Sequence, residues 1–198
     1  MTITAPVREE KSTIVRFFAL PRRTRAAFAV LERLAPGLGA RWAEHIWFTL
    51  PQPRASTVPP VDGPAGAPFA VDVEGHRVAG TAWGTGPVVY LVHGWAGRGA
   101  QLAPFVAPLL AHGYRVVAFD APSHGDSAPG AYGPRSSTIP EFAAALEAVA
   151  RLHGPAHALI GHSLGATAVA VALCDGLPAH RVAFLAPMAS PISYARQF

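Results

Sequence analysis

The chain of 198 residues is 51% apolar, only 14% charged, and carries a formal net charge of +4. That composition excludes disorder for most of it, because so apolar a chain can bury a sizeable core, and the length suits one ordinary domain. A single cysteine, Cys174, excludes an internal disulfide and a multi-thiolate zinc site, and fits a reducing cytoplasm. The longest uncharged apolar run, Leu164–Cys174, is far short of the roughly 20 residues a membrane span needs, so no transmembrane segment is expected. Glu9 and Glu10 break any secretory signal. Eight Lys/Arg and four Glu fall in residues 1–50, and the rest of the chain has eight of each sign. The whole positive excess therefore sits at the N-terminus, and no nucleic-acid partner is expected, since that would need a basic face on the main body.

Residues 11–50 read as helical, cut by Pro21 and by Pro36-Gly37, with Phe28, Leu31 and Ala35 at helix spacing. Arg22, Arg23 and Arg25 fall in the first turn of the second piece, where the macrodipole disfavours cations, and nothing local accounts for them. Two readings stand: a helical lead-in packing its apolar face on the main domain or a partner, or a basic amphipathic surface touching anionic lipid. Residues 51–68 hold six prolines and two glycines, an extended connector. Residues 1–68 are thus expected as an N-terminal extension with connector, and residues 69–198 as the main domain.

From there the pattern is regular. Alternation over 69–74, a turn at Gly75-His76 and a return over 77–83 predict a hairpin. Residues 88–92 are a short continuous apolar run, as in a strand covered on both faces. A helix is expected over 101–111, started late or kinked by Pro104 and Pro108. Strands follow at 115–120, 156–160 and 181–186, with helices at 139–153 and 164–175. Apolar strands alternating with helices predict an α/β fold, mostly parallel with helices on both faces, and ligands outside the carboxyl ends of the strands.

Three segments carry chemistry. Ala158 to Ala166 reads as a strand, then Gly161-His162-Ser163-Leu164-Gly165, then a helix of small residues. Gly-x-Ser-x-Gly on a sharp strand-to-helix turn lifts a serine hydroxyl out at the strand end, and Gly161 and Gly165 leave the room such a turn needs. Ser163 is the candidate nucleophile, and the Leu164 amide at the helix N-terminus a candidate oxyanion donor. The second segment ends its strand in His93-Gly94-Trp95-Ala96-Gly97, where the Trp95 amide could complete an oxyanion hole and His93 reads as a structural histidine. In the third, Asp120-Ala121-Pro122-Ser123-His124-Gly125-Asp126-Ser127, Asp120 is expected to fix the turn through backbone bonds. His124 stands as a weaker candidate for a catalytic base. The glycine-rich loop 94–99 lacks the Lys-Ser/Thr of a phosphate loop. No cofactor or metal is implied.

Together the HGWAG loop, the DAPSHGDS turn and the GHSLG elbow, in this order, resemble the α/β-hydrolase superfamily over about residues 69–198. The resemblance implies that Ser163 attacks an acyl carbonyl of a small ester or thioester substrate, with the Trp95 and Leu164 amides as oxyanion hole and His93, Gly94, Gly161, Gly165 and Asp120 as structural support. It also implies an acid and then a histidine after the serine. After Ser163 the sequence offers only Asp175 and His180, and both are expected at the wrong end of the sheet. The expectation is a C-terminally truncated hydrolase, inactive alone, whose last strand is an exposed edge. The competing reading is a non-catalytic binding protein on the same fold.

Overall fold

The computed structural model describes residues 21–51 and 65–187. Six strands form one sheet in the order β1–β2–β4–β3–β5–β6: β1 (Ala67–Val73), β2 (His76–Trp83), β3 (Val88–Val92), β4 (Arg115–Phe119), β5 (Ala156–His162) and β6 (Ala179–Leu185). β1 pairs with β2, and β2 with β4, in antiparallel fashion; the other pairs are parallel. The β1–β2 turn places Glu74 and Gly75 at φ 53° and 84°. Positive φ at both central residues gives the turn a twist matching that of the strands it joins. The Gly75 amide also donates to Asp72 Oδ1 at 3.0 Å.

The uninterrupted apolar run of β3 follows from its place: all five residues are buried between β4 and β5. Alternate side chains enter opposite layers. Val88, Tyr90 and Val92 join the core under α4 (Ile139–His153) and α5 (Leu164–Cys174). Val89 and Leu91 join the smaller core under α3 (Val106–Ala111). Helix α4 starts where Thr138 Oγ1 accepts the Glu141 amide and donates to Glu141 Oε2, a reciprocal Thr-x-x-Glu cap. It ends at Gly154 with φ 105°.

The helix expected over 101–111 divides into a 3-10 segment, Gly99–Phe105, and α3. Pro104 lacks the N–H an α-helical turn would use, whereas Pro108 falls in the first turn of α3, where amides have no intrahelical acceptor. Strand β5 runs two residues further than its apolar run suggests, because Gly161 and His162 pair with Phe184 and Leu185. Strand β6 begins at Ala179, ahead of the expected start, where it pairs with Ala156. Among the described residues it lies at the edge of the sheet, and its interior is exposed, Val182 and Phe184 included.

Before the sheet, α1 (Arg22–Leu34) and α2 (Pro36–Phe48) form a hairpin. Ala35 breaks them at φ −155°, ψ 65°, as a residue before proline leaves helical geometry. The rings of Phe28 and Trp42 stack at 4.4 Å between the two helices. Leu50 ties the hairpin to the sheet domain: its amide donates to the Arg135 carbonyl at 2.7 Å, and the Arg135 guanidinium donates to its carbonyl. Residues 11–20 of the expected helical segment and residues 52–64 of the connector lie outside the described residues.

Phe142 of α4 is fully buried and meets two histidine rings edge-on, His93 at 5.2 Å and His124 at 5.0 Å. Phe142→Ala is expected to cost about 3–5 kcal/mol, because the surrounding rings and strands cannot close the cavity. Urea unfolding should show a lower midpoint with an unchanged slope.

Candidate active site

The turn from β5 into α5 is set by what cannot fit around it. A Cβ on Gly161 would lie 2.7 Å from Ala166 Cα, and one on Gly165 would lie 2.3 Å from the His93 carbonyl oxygen. Backbone meets backbone at both places, so neither position tolerates a side chain. Between them Ser163 adopts φ 51°, ψ −119°, a region costing a residue with a side chain on the order of 1–3 kcal/mol. Two bonds hold it there: its amide donates to the Leu185 carbonyl at 2.9 Å, and its carbonyl accepts from Ala166 at 3.0 Å. Among the described residues Oγ of Ser163 has no hydrogen-bond partner, and the side chain is half-buried.

The loop after β3 lies directly against this turn. A Cβ on Gly94 would sit 3.0 Å from Ser163 Cβ and from the His162 carbonyl oxygen, so any larger residue would press on the elbow. The next residue, Trp95, opens the tight turn closed by Gly97 N–H donating to the Gly94 carbonyl at 3.0 Å. Among the described residues no acceptor takes the amide of Trp95, nor that of Leu164 at the start of α5. Helix-start amides are orphan donors, a place where negative charge is favoured. The Trp95 ring, half-buried, stands edge-on to His124 at 5.7 Å.

Two buried histidines lock this loop to the one after β4. His93 Nε2 accepts the Ala121 amide at 3.0 Å, so its proton is on Nδ1, which donates to the Gly94 carbonyl at 2.7 Å. His124 repeats the arrangement in reverse: Nε2 accepts the Ala96 amide at 3.2 Å and Nδ1 donates to the Pro122 carbonyl at 2.9 Å. Each loop thus supplies a histidine that holds an amide of the other. Burial, with a smaller contribution from His124, lowers the His93 pKa to about 3; burial also lowers that of His124. Both rings are neutral at pH 7 with both nitrogens engaged. His124 is therefore occupied as a brace, and neither nitrogen is free to take a proton from Ser163.

Asp120 anchors the same region from the end of β4. Oδ1 accepts from Gly99 at 2.7 Å and Oδ2 from Asp126 at 2.8 Å. Burial nevertheless raises its pKa, the two amides offsetting part of that rise. The sequence reading missed the reciprocal brace, although one signal was present: His93-Gly94 and His124-Gly125 repeat the same dipeptide, and both braced pairs are separated by 28 residues.

Asp175 and His180 lie elsewhere. Asp175 lines a cavity of about 320 Å³ with Gly154 and Pro155, beside the entry to β5. The His180 ring lies 5.9 Å from that of His157, the second residue of β5. Ser163 follows the other end of that strand, about 20 Å away at strand rise. Among the described residues no group of three His, Cys, Asp or Glu could hold a metal ion, and no helix is long and apolar enough to cross a membrane.

The folded pKa of His93 lies below its ordinary value of 6.5, so its neutral form stabilises the fold above that pH. That contribution is lost as pH falls from about 6.5 towards 3, because the unfolded chain takes up the proton first. Asp120, with its pKa raised, acts in the opposite direction, so the comparison is with a variant. Melting temperature should fall less steeply with acidification in His93→Gln than in the wild type. Side-chain nitrogen NMR should show both His93 and His124 as Nδ1–H tautomers at neutral pH.

Comparison with known proteins bears on the fold and the family. Residues 89–198 match the model of the alpha/beta hydrolase family. An esterase from Exiguobacterium antarcticum superposes with a TM-score of 0.54 at 21% identity, over 61% of this chain and 45% of its own. Epoxide hydrolase A from Mycobacterium thermoresistibile gives 0.55 at 23%, over 67% and 44%. The proline iminopeptidase-related protein of Thermus thermophilus gives 0.51 at 25%, over 62% and 45%. The chain spans less than half the length of these structures, and no curated protein matches it. With the family model covering more than half of its residues, the chain belongs to the alpha/beta hydrolase family.

Proposed function

We propose that this chain carries the nucleophile and oxyanion hole of a serine hydrolase acting on small ester or thioester substrates. The observation supporting it is the strained backbone of Ser163 at the head of α5, with Gly94 pressed against its side chain. In this reading Ser163 Oγ adds to the acyl carbonyl and gives up its proton to a base. The resulting oxyanion is held by the amides of Trp95 and Leu164, and collapse expels the alcohol or thiol. Water then cleaves the acyl-serine by the same path. A serine rather than a carboxylate at the elbow favours acyl transfer over epoxide opening, and the half-buried Trp95 ring favours an apolar acyl group.

In this reading none of His93, His124, Asp175 and His180 is placed to act as the base or its acid. His93 and His124 are engaged at both nitrogens, and Asp175 and His180 lie about 20 Å along β5 from Ser163. We take residues 69–198 as part of the catalytic domain and residues 1–68 as its extension and connector. The lone cysteine supports a place in the cytoplasm. The engagement of both His93 and His124 favours a second reading, a non-catalytic binding protein that uses the pocket without turnover.

Two measurements on the 198-residue chain test the assignment. A fluorophosphonate should label Ser163 slowly, by about 10²–10⁴ relative to a serine with its base, and Ser163→Ala should abolish labelling. Turnover of a p-nitrophenyl acyl ester should be negligible. Labelling elsewhere would remove Ser163 as nucleophile, and turnover abolished by Ser163→Ala would place the base among the upstream histidines.

A further inference from the structure

The α1–α2 hairpin is poorly accounted for by the fold that carries it. Helix α1 has no buried residue and α2 has only Gly39. Large apolar side chains stand in solvent around their junction: Leu34 is 80% exposed, Leu38 60% and Val30 55%. On α1 these belong to a stripe, since Arg23, Val30 and Leu34 fall at i, i+7 and i+11. Arg33 and Arg41 are exposed on either side of the junction. Over both helices five arginines meet only two acids, Glu32 and Glu44.

The first turn of α1 adds an independent sign. Arg22, Arg23 and Arg25 occupy it with no acid among them and no side-chain cap. Cations there oppose the macrodipole, so helix stability does not explain them. An external anionic surface does, because it offsets both the clustered charge and the helix-end dipole. Apolar side chains interleaved with guanidiniums suit the boundary of a bilayer, where aliphatic groups enter the headgroup layer and arginines reach lipid phosphates. Self-association is disfavoured by the same charges, since a second copy would set arginine against arginine.

We propose that the α1–α2 hairpin docks on an anionic lipid surface. Val30, Leu34 and Leu38 enter the headgroup boundary, and Arg23, Arg33 and Arg41 meet the lipid phosphates. The proposal is independent of the chemistry assigned to Ser163.

Sedimentation of the full 198-residue chain with vesicles tests it. The chain should bind vesicles of phosphatidylserine in phosphatidylcholine, not phosphatidylcholine alone, and binding should weaken as salt rises. Arg33→Glu with Arg41→Glu should lower the partition constant at least about tenfold. Leu34→Ser with Leu38→Ser should weaken binding with circular dichroism unchanged, because both positions are exposed. Equal binding to both vesicle types, no binding to either, or binding that neither pair of substitutions alters would overturn the proposal. So would a concentration-dependent dimer, dispersed by Leu34→Ser with Leu38→Ser, in place of vesicle binding.

Discussion

The contact on which this molecule depends is a van der Waals limit between two stretches of backbone. Helix α5 begins so close to the end of β3 that one added methyl at Gly165 would stand 2.3 Å from the His93 carbonyl oxygen and 2.5 Å from that of Val92. At that separation the chain leaving β5 must reverse within a few residues. Ser163 takes the strained dihedrals, Gly161 clears Ala166, and Gly94 clears the serine itself. Each of these local features is explained by the one close approach. Relaxing any of them would move α5 off the sheet and forfeit the apolar core shared by Ala168, Val169 and Ala172.

Strain is gathered at one end of the sheet. Among the described residues five non-glycines have positive φ, and four of them, Ala96, Ser123, Ser163 and Ala186, lie in the segments leaving β3, β4, β5 and β6. A parallel sheet exposes the carboxyl ends of its strands together, so the residues that must turn sharply there become neighbours. Two neutral histidines and one half-buried aspartate hold the loops after β3 and β4, each accepting backbone amides that would otherwise be unpaired in a region of low dielectric. This arrangement suits oxyanion stabilisation, which needs donors fixed before charge develops rather than donors that reorganise.

Local signals were legible in the sequence, and pairings in space were not. Residues 88–92 read correctly as a doubly covered strand because burial on both faces leaves an unbroken apolar run. Residues 139–153 read correctly because Thr138, Glu141 and Gly154 mark both ends of an amphipathic helix. The end of β5 and the start of β6 were misjudged because each strand's length is set by its partner, and exposed residues such as His162 and His180 give no apolar cue. Pro104 announced a disturbance, yet sequence could not say that the chain would respond with a 3-10 segment. The histidine brace was hidden for a related reason: each bond joins residues 28 apart, and neither ring's acceptor role is written in its neighbours.

The elbow is held unequally from its two sides. On the β3 side it is packed against buried backbone, where few motions are open to it. On the other side the Ser163 amide depends on the carbonyl of Leu185, at the end of an edge strand whose Val182 and Phe184 are exposed. Edge strands open locally at lower free energy than central ones, because fewer apolar contacts and more solvent-exposed bonds hold them. Opening at the end of β6 would release one of the two bonds that hold Ser163 in its strained geometry. The geometry of Ser163 is thus tied on one side to packed backbone and on the other to a strand whose outer residues are exposed.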